Sequence, residues 1–180
     1  SSLISTVVTL VCATFTVKLA GKIGKKELSV IGCMISVVAF LILFFIQTKS
    51  VTVFIIFYAI AYVGQAFFSL VCWAMITDVI DDTEVRTGER MDGTIYSIYS
   101  FARKSGQAFA AGLSGGLLAL IGYTAETQFD PGVVKGIYNI TCLAPAIGFA
   151  CVILALWFLY PLNKKKVEEN AEKLALKYKK

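Results

Sequence analysis

The sequence predicts an all-α membrane protein, and three observations carry that prediction. Hydrophobic residues make up 57% of its 180 residues, with a mean hydropathy of +0.75, where soluble domains hold roughly 45–50% apolar residues. Five stretches are long and apolar enough to cross a ~30 Å hydrocarbon core, which takes about 20 residues in a helix whose backbone satisfies its own hydrogen bonds. The charges collect between, at the ends of and after those stretches, Lys18 falling at the end of the first, with Arg103 and Lys104 as the exception deep inside one.

The five predicted spans are residues 3–20, 28–47, 51–77, 94–122 and 136–160. The first connection is basic (Lys18, Lys22, Lys25, Lys26), the second holds only Lys49, the third Arg86 and Arg90, the fourth only Lys135, and the tail seven lysines. Cytoplasmic loops collect Lys and Arg, so the alternation predicts a multi-pass protein with Ser1 outside and Lys180 in the cytoplasm. Residues 162–180 then form a basic cytoplasmic tail, a short helix with Val167, Leu174 and Leu176 among Lys and Glu. A solvated anchor resting on anionic headgroups is the expectation for it. The chain opens at Ser1, without methionine and almost directly in an apolar run, as a piece of a longer protein would.

Several function classes lose their chemistry at once. There is no histidine, and the five cysteines (Cys12, Cys33, Cys72, Cys142, Cys151) are scattered through apolar stretches. That leaves no Ser-His or Cys-His pair, no metal-ligand set and no disulfide framework, so an enzyme is not expected. The net charge of +5 lies mostly in short loops and the tail, a topology signal that does not call for nucleic acid. Tyr58, Tyr62, Tyr123, Tyr138 and Tyr160 fall toward span ends, as interfacial aromatics do. Small residues recur in the fourth span (Ala108, Gly112, Gly116, flanked by Ala111, Gly115, Ala119), and Gly32 with Ser36 make a weaker version in the second. Both predict close helix packing. Pro145 predicts a kink in the fifth span, because it removes a backbone donor and crowds the preceding turn.

Function is expected around Asp78 to Ala111, where a charged loop runs into the fourth span. A cation at the bilayer centre costs from ~3 kcal/mol on insertion scales to over 10 in simulations, so it is normally kept beside a cavity or a counter-charge. Counted from Thr94, Lys104 lies ~15 Å deep. Ser97, Ser100, Lys104, Gln107 and Ala111 share one helical face, and Tyr96, Tyr99, Arg103 and Gln107 the adjacent one. This polar side is expected to line a water-filled cavity or a bundle interior, with a permeation pathway as the economical inference. Snorkelling of Arg103 and Lys104 toward the interface, or a structural ion pair, stands as the alternative. The third span offers Gln65, Ser69, Trp73 and Thr77 at four-residue steps; Trp73 stacks on a sugar ring or serves packing alone. The carboxylates Asp78, Asp81, Asp82, Glu84, Glu89 and Asp92, with Arg86 and Arg90, suit salt bridges that form in one state and break in another. Capping and solvation alone would also explain Asp82, Glu89 and Asp92.

Four runs resemble a known family without a gap in their spacing: D-V-I-D-x-x-E at Asp78 to Glu84, T-G-x-R at Thr87 to Arg90, G-x-x-Y-S at Gly93 to Ser97, and K-x-G-x-A-F-A-A at Lys104 to Ala111. They are similar to the glycoside-pentoside-hexuronide:cation symporters of the major facilitator superfamily. The basic run Gly21 to Lys26 resembles a short inter-helix loop of that superfamily, though without its frequent aspartate. The resemblance implies five transmembrane helices corresponding to helices 8–12 of a twelve-helix transporter, a partial C-terminal bundle over residues 1–161. Its partner would be the missing N-terminal bundle of the same protein. It further implies that Lys104 faces the central cavity near the sugar and cation sites, that Tyr99 and Ser100 approach the sugar, and that Asp78 and Arg90, with Asp81 and Glu84 beside them, belong to a cytoplasmic gate.

Two positions depart from the melibiose-transporting members: Arg103 stands where they carry an apolar residue, and Ser69 where they carry a tryptophan. A second cation in the cavity suits a carboxylate, so a hexuronide or other acidic glycoside is the expected class. Expected substrate-site residues are thus Lys104, Ser100, Tyr99, Arg103, Ser69 and Trp73. No covalent cofactor is expected. The coupling cation would be sodium or a proton, with lithium a further candidate, and its main ligands are expected in the missing N-terminal half. The setting would be a bacterial inner membrane, with membrane lipid and a sugar or glycoside as partners. Two rival expectations stay open: a lipid or amphiphile carrier of the same fold, and a small non-transporting assembly subunit whose gene starts near Ser1.

Overall fold

The computed structural model describes residues 15, 16 and 18–179, and every described element is helical. The expected first span therefore lies largely outside the described residues, which enter it only near its end. Five helices follow in order: α1 Lys25–Ile46, α2 Val51–Thr87, α3 Asp92–Leu120, α4 Pro131–Phe158 and α5 Lys164–Tyr178. Of these α1, α2 and α4 are long and apolar enough to cross a membrane. The expected fourth span corresponds to α3, which has the length, 29 residues. Arg103, Lys104, Gln107 and four serines lower its apolarity below that of the other three.

Local chemistry sets the boundaries. α1 ends at Gln47, whose left-handed φ of 46° closes the last turn with a bond from its N–H to the Leu43 carbonyl. α4 starts with Pro131 directly after Asp130; proline fits the first helical turn because its missing donor would be unpaired there anyway. The helix then runs on through Pro145. In α5 the Asn163 side chain accepts from the Lys166 N–H at 3.0 Å, an N-cap.

Two expectations change here. The charged stretch after Thr77 is not a loop: α2 continues through it to Thr87 and stops only at Gly88, whose φ of 83° is the left-handed conformation that glycine adopts without strain. No glycine or proline interrupts residues 78–87. Asp82 and Arg86 pair one turn apart at 3.8 Å, and Thr83 and Thr87 each return a hydroxyl to the carbonyl four residues back at 2.8 Å. The tail also differs from a free solvated anchor. α5 folds back onto the end of α2 and buries Asn170 and Leu174.

α1 packs between α2 and α4. One core cluster joins Leu28, Val71, Met75 and Leu156, the other Ala39, Phe40, Ala61 and Ala146. Between them α1 and α2 approach at glycines: a Cβ on Gly32 would lie 2.6 Å from the Gly64 carbonyl oxygen, and one on Gly64 would meet the Gly32 carbonyl. The Ser36 hydroxyl donates across the same seam to the Ala61 carbonyl at 2.8 Å. The weaker of the two small-residue patterns is thus the one in tight contact. A Cβ at Gly112, Gly115 or Gly116 of the α3 stripe would meet nothing within 4 Å among the described residues, and α3 buries no side chain.

Two of the five end tyrosines donate to a neighbouring helix. Tyr138 donates to the Leu43 carbonyl at 2.8 Å and Tyr160 to that of Met75 at 3.4 Å. Cys33, Cys72, Cys142 and Cys151 are free thiols.

Candidate substrate site and ionic cluster

Two polar groupings occupy α2, one on each side of residue 77. The first is a pocket of about 320 Å³ between α2 and α3, lined by Ser69, Cys72, Trp73, Tyr99 and Arg103 with Phe68 and Ala102. Four of the six expected substrate-site residues come together in it: Ser69, Trp73, Tyr99 and Arg103. Helical periodicity explains the selection. Tyr96, Tyr99 and Arg103 repeat at three and four residues on α3, and Ser69 and Trp73 at four on α2.

Trp73 is the centre of this pocket. The Tyr99 ring meets it edge-on, with centroids 5.1 Å apart and planes at 73°, and Tyr96 lies at 6.4 Å. The Arg103 guanidinium carbon sits 5.4 Å from the Trp73 ring centroid, within cation–π range. Trp73 therefore carries the Arg103 cation at its ring. The Tyr99 hydroxyl lies 3.5 Å from the Cys72 sulfur. Ser100 and Lys104 fall outside the pocket, on the neighbouring face of α3, and both side chains are exposed among the described residues. Gln65 and Thr77 share the face of Trp73 on α2 but do not line the pocket.

The second grouping contains the four expected gate residues, and the structure divides them. Asp78, 5% exposed, pairs with Lys25 at the start of α1 at 2.5 Å, and its second oxygen is buried without a partner among the described residues. Arg90 gathers the others. It reaches Asp81 and Glu84 at 3.0 Å each and Asp92 at 2.9 Å. Glu84 is only 1% exposed and is also bonded by the tail, accepting from Lys177 at 2.9 Å and from the Tyr178 hydroxyl at 2.6 Å. The carboxylate raises the proton affinity of every donor around it, so Arg90, Lys177 and Tyr178 all lie above their ordinary pKa values, Glu84 being the largest cause for each. Asn170, 2% exposed, donates to Asp82 at 2.8 Å from the same tail face.

Sequence reasoning counted Lys25 as a topology charge and gave Asn170, Lys177 and Tyr178 no role. For the tail residues a signal exists: Asn170, Leu174, Lys177 and Tyr178 lie at i, i+4, i+7 and i+8, one face of a helix. No group of three potential metal ligands occurs among the described residues.

Residues 1–164 match the sequence family described as MFS/sugar transport protein. Over 151 residues the chain is 34% identical to the glucuronide carrier protein homolog of Escherichia coli (strain K12), covering 84% of this chain and 33% of that protein. It is 37% identical over 152 residues to the uncharacterized symporter YjmB of Bacillus subtilis (strain 168), with shares of 84% and 33%. To a putative 2,3-dihydroxypropane-1-sulfonate exporter of Salmonella typhimurium (strain LT2) it is 32% identical over 153 residues, with shares of 85% and 33%. The chain spans about a third of the length of these curated relatives.

Proposed function

The chain belongs to the MFS/sugar transport protein family, and on that premise we propose that it is the C-terminal part of a secondary active carrier for an acidic sugar or sugar-derived anion. Transport is coupled to a cation and proceeds by alternating access, two bundles rocking about a site near the midplane. The observation that carries the substrate class is Arg103, held over Trp73 in a pocket on the α2–α3 side. A planar guanidinium takes a carboxylate or sulfonate through two parallel N–H bonds. Two of the relatives are named for anions of these kinds, a glucuronide and a 2,3-dihydroxypropane-1-sulfonate, and another is named as a symporter.

In this scheme Ser69, Tyr99 and Ser100 contact sugar hydroxyls, and Lys104 senses whether cation and sugar are bound. A charged Lys104 without its counter-charge holds the half-loaded carrier back, so only empty and fully loaded forms reorient. The charged end of the bundle, with Lys25, Arg86, Arg90 and α5, faces the cytoplasm of a bacterial inner membrane. Asp78, Asp81, Glu84 and Arg90 form the inner gate there. Sodium or a proton is the coupling ion.

The test is uptake of labelled glycosides and hexuronides by the full-length carrier in proteoliposomes, with sodium and proton gradients imposed one at a time. Gradient-dependent accumulation of acidic substrates, lost selectively in Arg103→Gln, is expected. Equal competition by neutral and acidic sugars, with Arg103→Gln changing neither, refutes the substrate class. A second reading, a lipid or amphiphile carrier, rests on one observation: a wholly apolar groove of about 410 Å³ between α1 and α2, including Met34, Val38, Phe57 and Ile60. It gains only if folded protein takes up no sugar under either gradient.

A further inference from the structure

A second cleft, about 400 Å³, opens where α4 ends and α5 begins, against the last turns of α2. Its cations are Arg86, Lys165 and Lys166, and its carboxylates Asp82 and Glu169. Both carboxylates are engaged by groups from outside the cleft: Asp82 accepts from Asn170 at 2.8 Å and Glu169 from Lys173 at 2.6 Å. The cations are less satisfied. Arg86 has a side chain 78% exposed and a single ion pair among the described residues, at 3.8 Å to Asp82. Lys166 has only a 3.8 Å contact to Glu169, and Lys165 makes no hydrogen bond or ion pair among the described residues. The cleft is therefore built with positive charge in excess and held open.

Its position says what kind of anion reaches it. Asp82 and Arg86 lie nine and thirteen residues beyond Trp73 on α2, about 14 and 20 Å further along the helix axis than the substrate pocket. The cleft thus lies at the charged end of α2, about two to four turns from the pocket and sharing no lining residue with it. Two to four residues before its lining Pro161, the end of α4 exposes Trp157 and Phe158 and the cap residue Leu159, at 65%, 77% and 80%. That is an aromatic, apolar rim of the sort that sits at the headgroup level of a bilayer. The docking of α5 on α2 fixes Lys165 and Lys166 in the cleft, a few residues after this rim, instead of leaving them on a free tail.

We propose that this cleft is a binding site for an anionic phospholipid headgroup, with the phosphate among Arg86, Lys165 and Lys166 and the acyl chains along Trp157 and Phe158. The site ties the C-terminal helix to the membrane and is separate from the sugar pocket, so it stands or falls independently of the substrate assigned above.

Native mass spectrometry of the full-length carrier in detergent, titrated with phosphatidylglycerol, phosphatidylcholine or inorganic phosphate, tests it. Each Lys or Arg near a membrane surface is worth about fivefold in affinity, so Arg86→Gln/Lys165→Gln/Lys166→Gln is expected to weaken phosphatidylglycerol retention at least twentyfold. The charge-matched Lys49→Gln/Lys135→Gln/Lys179→Gln is expected to stay within twofold of wild type. Lys165→Gln alone, which breaks no contact among the described residues, is expected to lose about fivefold and serves if the triple variant does not fold. Equal loss in the two triple variants, or none in either, overturns the site. Retention of phosphatidylcholine as strong as that of phosphatidylglycerol overturns its charge basis. Displacement of phosphatidylglycerol by low-millimolar phosphate overturns the lipid as occupant and assigns a soluble anion.

Discussion

If Trp73 positions Arg103, removing the indole should penalise acidic substrates and spare neutral ones. In Trp73→Leu the guanidinium loses a ring 5.4 Å away. Trp73 is 46% exposed and Arg103 is exposed as well, so the low end of the cation–π range applies, about 0.5–1 kcal/mol. At 1.4 kcal/mol per decade this is a twofold to fivefold rise in KM for a glucuronide or similar acid. The edge-on contact of Tyr99 with Trp73 is lost too, which loosens the pocket wall. Trp73→Phe keeps an aromatic face and should recover part of the loss. The assay is initial uptake rate against concentration in proteoliposomes, for one acidic and one neutral substrate, separating KM from maximal rate. An unchanged KM for the acid in Trp73→Leu would refute the positioning role. Equal rises for acid and neutral sugar would make Trp73 a general packing residue.

Three further outcomes are expected from the packing. Gly64→Ala puts a Cβ against the Gly32 backbone carbonyl, where only a backbone shift relieves the clash, so about 1–3 kcal/mol of stability should be lost, read as a lower thermal unfolding midpoint in detergent. Lys25→Met strands the buried Asp78 carboxylate and should cost about 3 kcal/mol, while Lys25→Met/Asp78→Asn should recover most of it, since the unpaired charge rather than the lost pair carries the penalty. Glu84→Gln removes the charge shared by Arg90, Lys177 and Tyr178. Faster hydrogen exchange and proteolysis across residues 164–178 should follow, and an unchanged tail would show that Leu174 and Asn170 hold it alone.

How much of this was legible depends on whether the information is local. Hydropathy placed both ends of α1 and α3 to within three residues but ended α2 ten residues early and began α4 five residues late, because the bilayer criterion acts on each stretch separately and stops where charge begins. Periodicity separated the Tyr99–Arg103 face of α3 from the Ser100–Lys104 face, and the structure keeps that division. The glycoside-pentoside-hexuronide:cation resemblance, read from ungapped motifs, agrees with the family match over residues 1–164. What failed was non-local or overruled by a prior. Asp78 to Thr87 looked like a loop because it is charged, yet charge is compatible with a helix that has left the hydrocarbon. The Lys25–Asp78 pair joins residues 53 apart in sequence, and no property of either residue names the other. The α3 glycine stripe drew more weight than Gly32 because it repeats more often, but close approach needs a matching small residue on the facing helix. Gly64 supplies that for Gly32.

The length of α2 has a mechanical consequence. At 37 residues it is ~55 Å long, well over the thickness of the hydrocarbon core, and it carries both Trp73 and Glu84 with no break between them. Eleven residues of continuous helix make a stiff arm of ~16 Å. A tilt of about 10° about Trp73 swings Glu84 by about 3 Å on such an arm, enough to part it from Arg90 and Lys177. The Trp73 pocket at one end and the Glu84 cluster at the other are thus the two ends of one rigid lever.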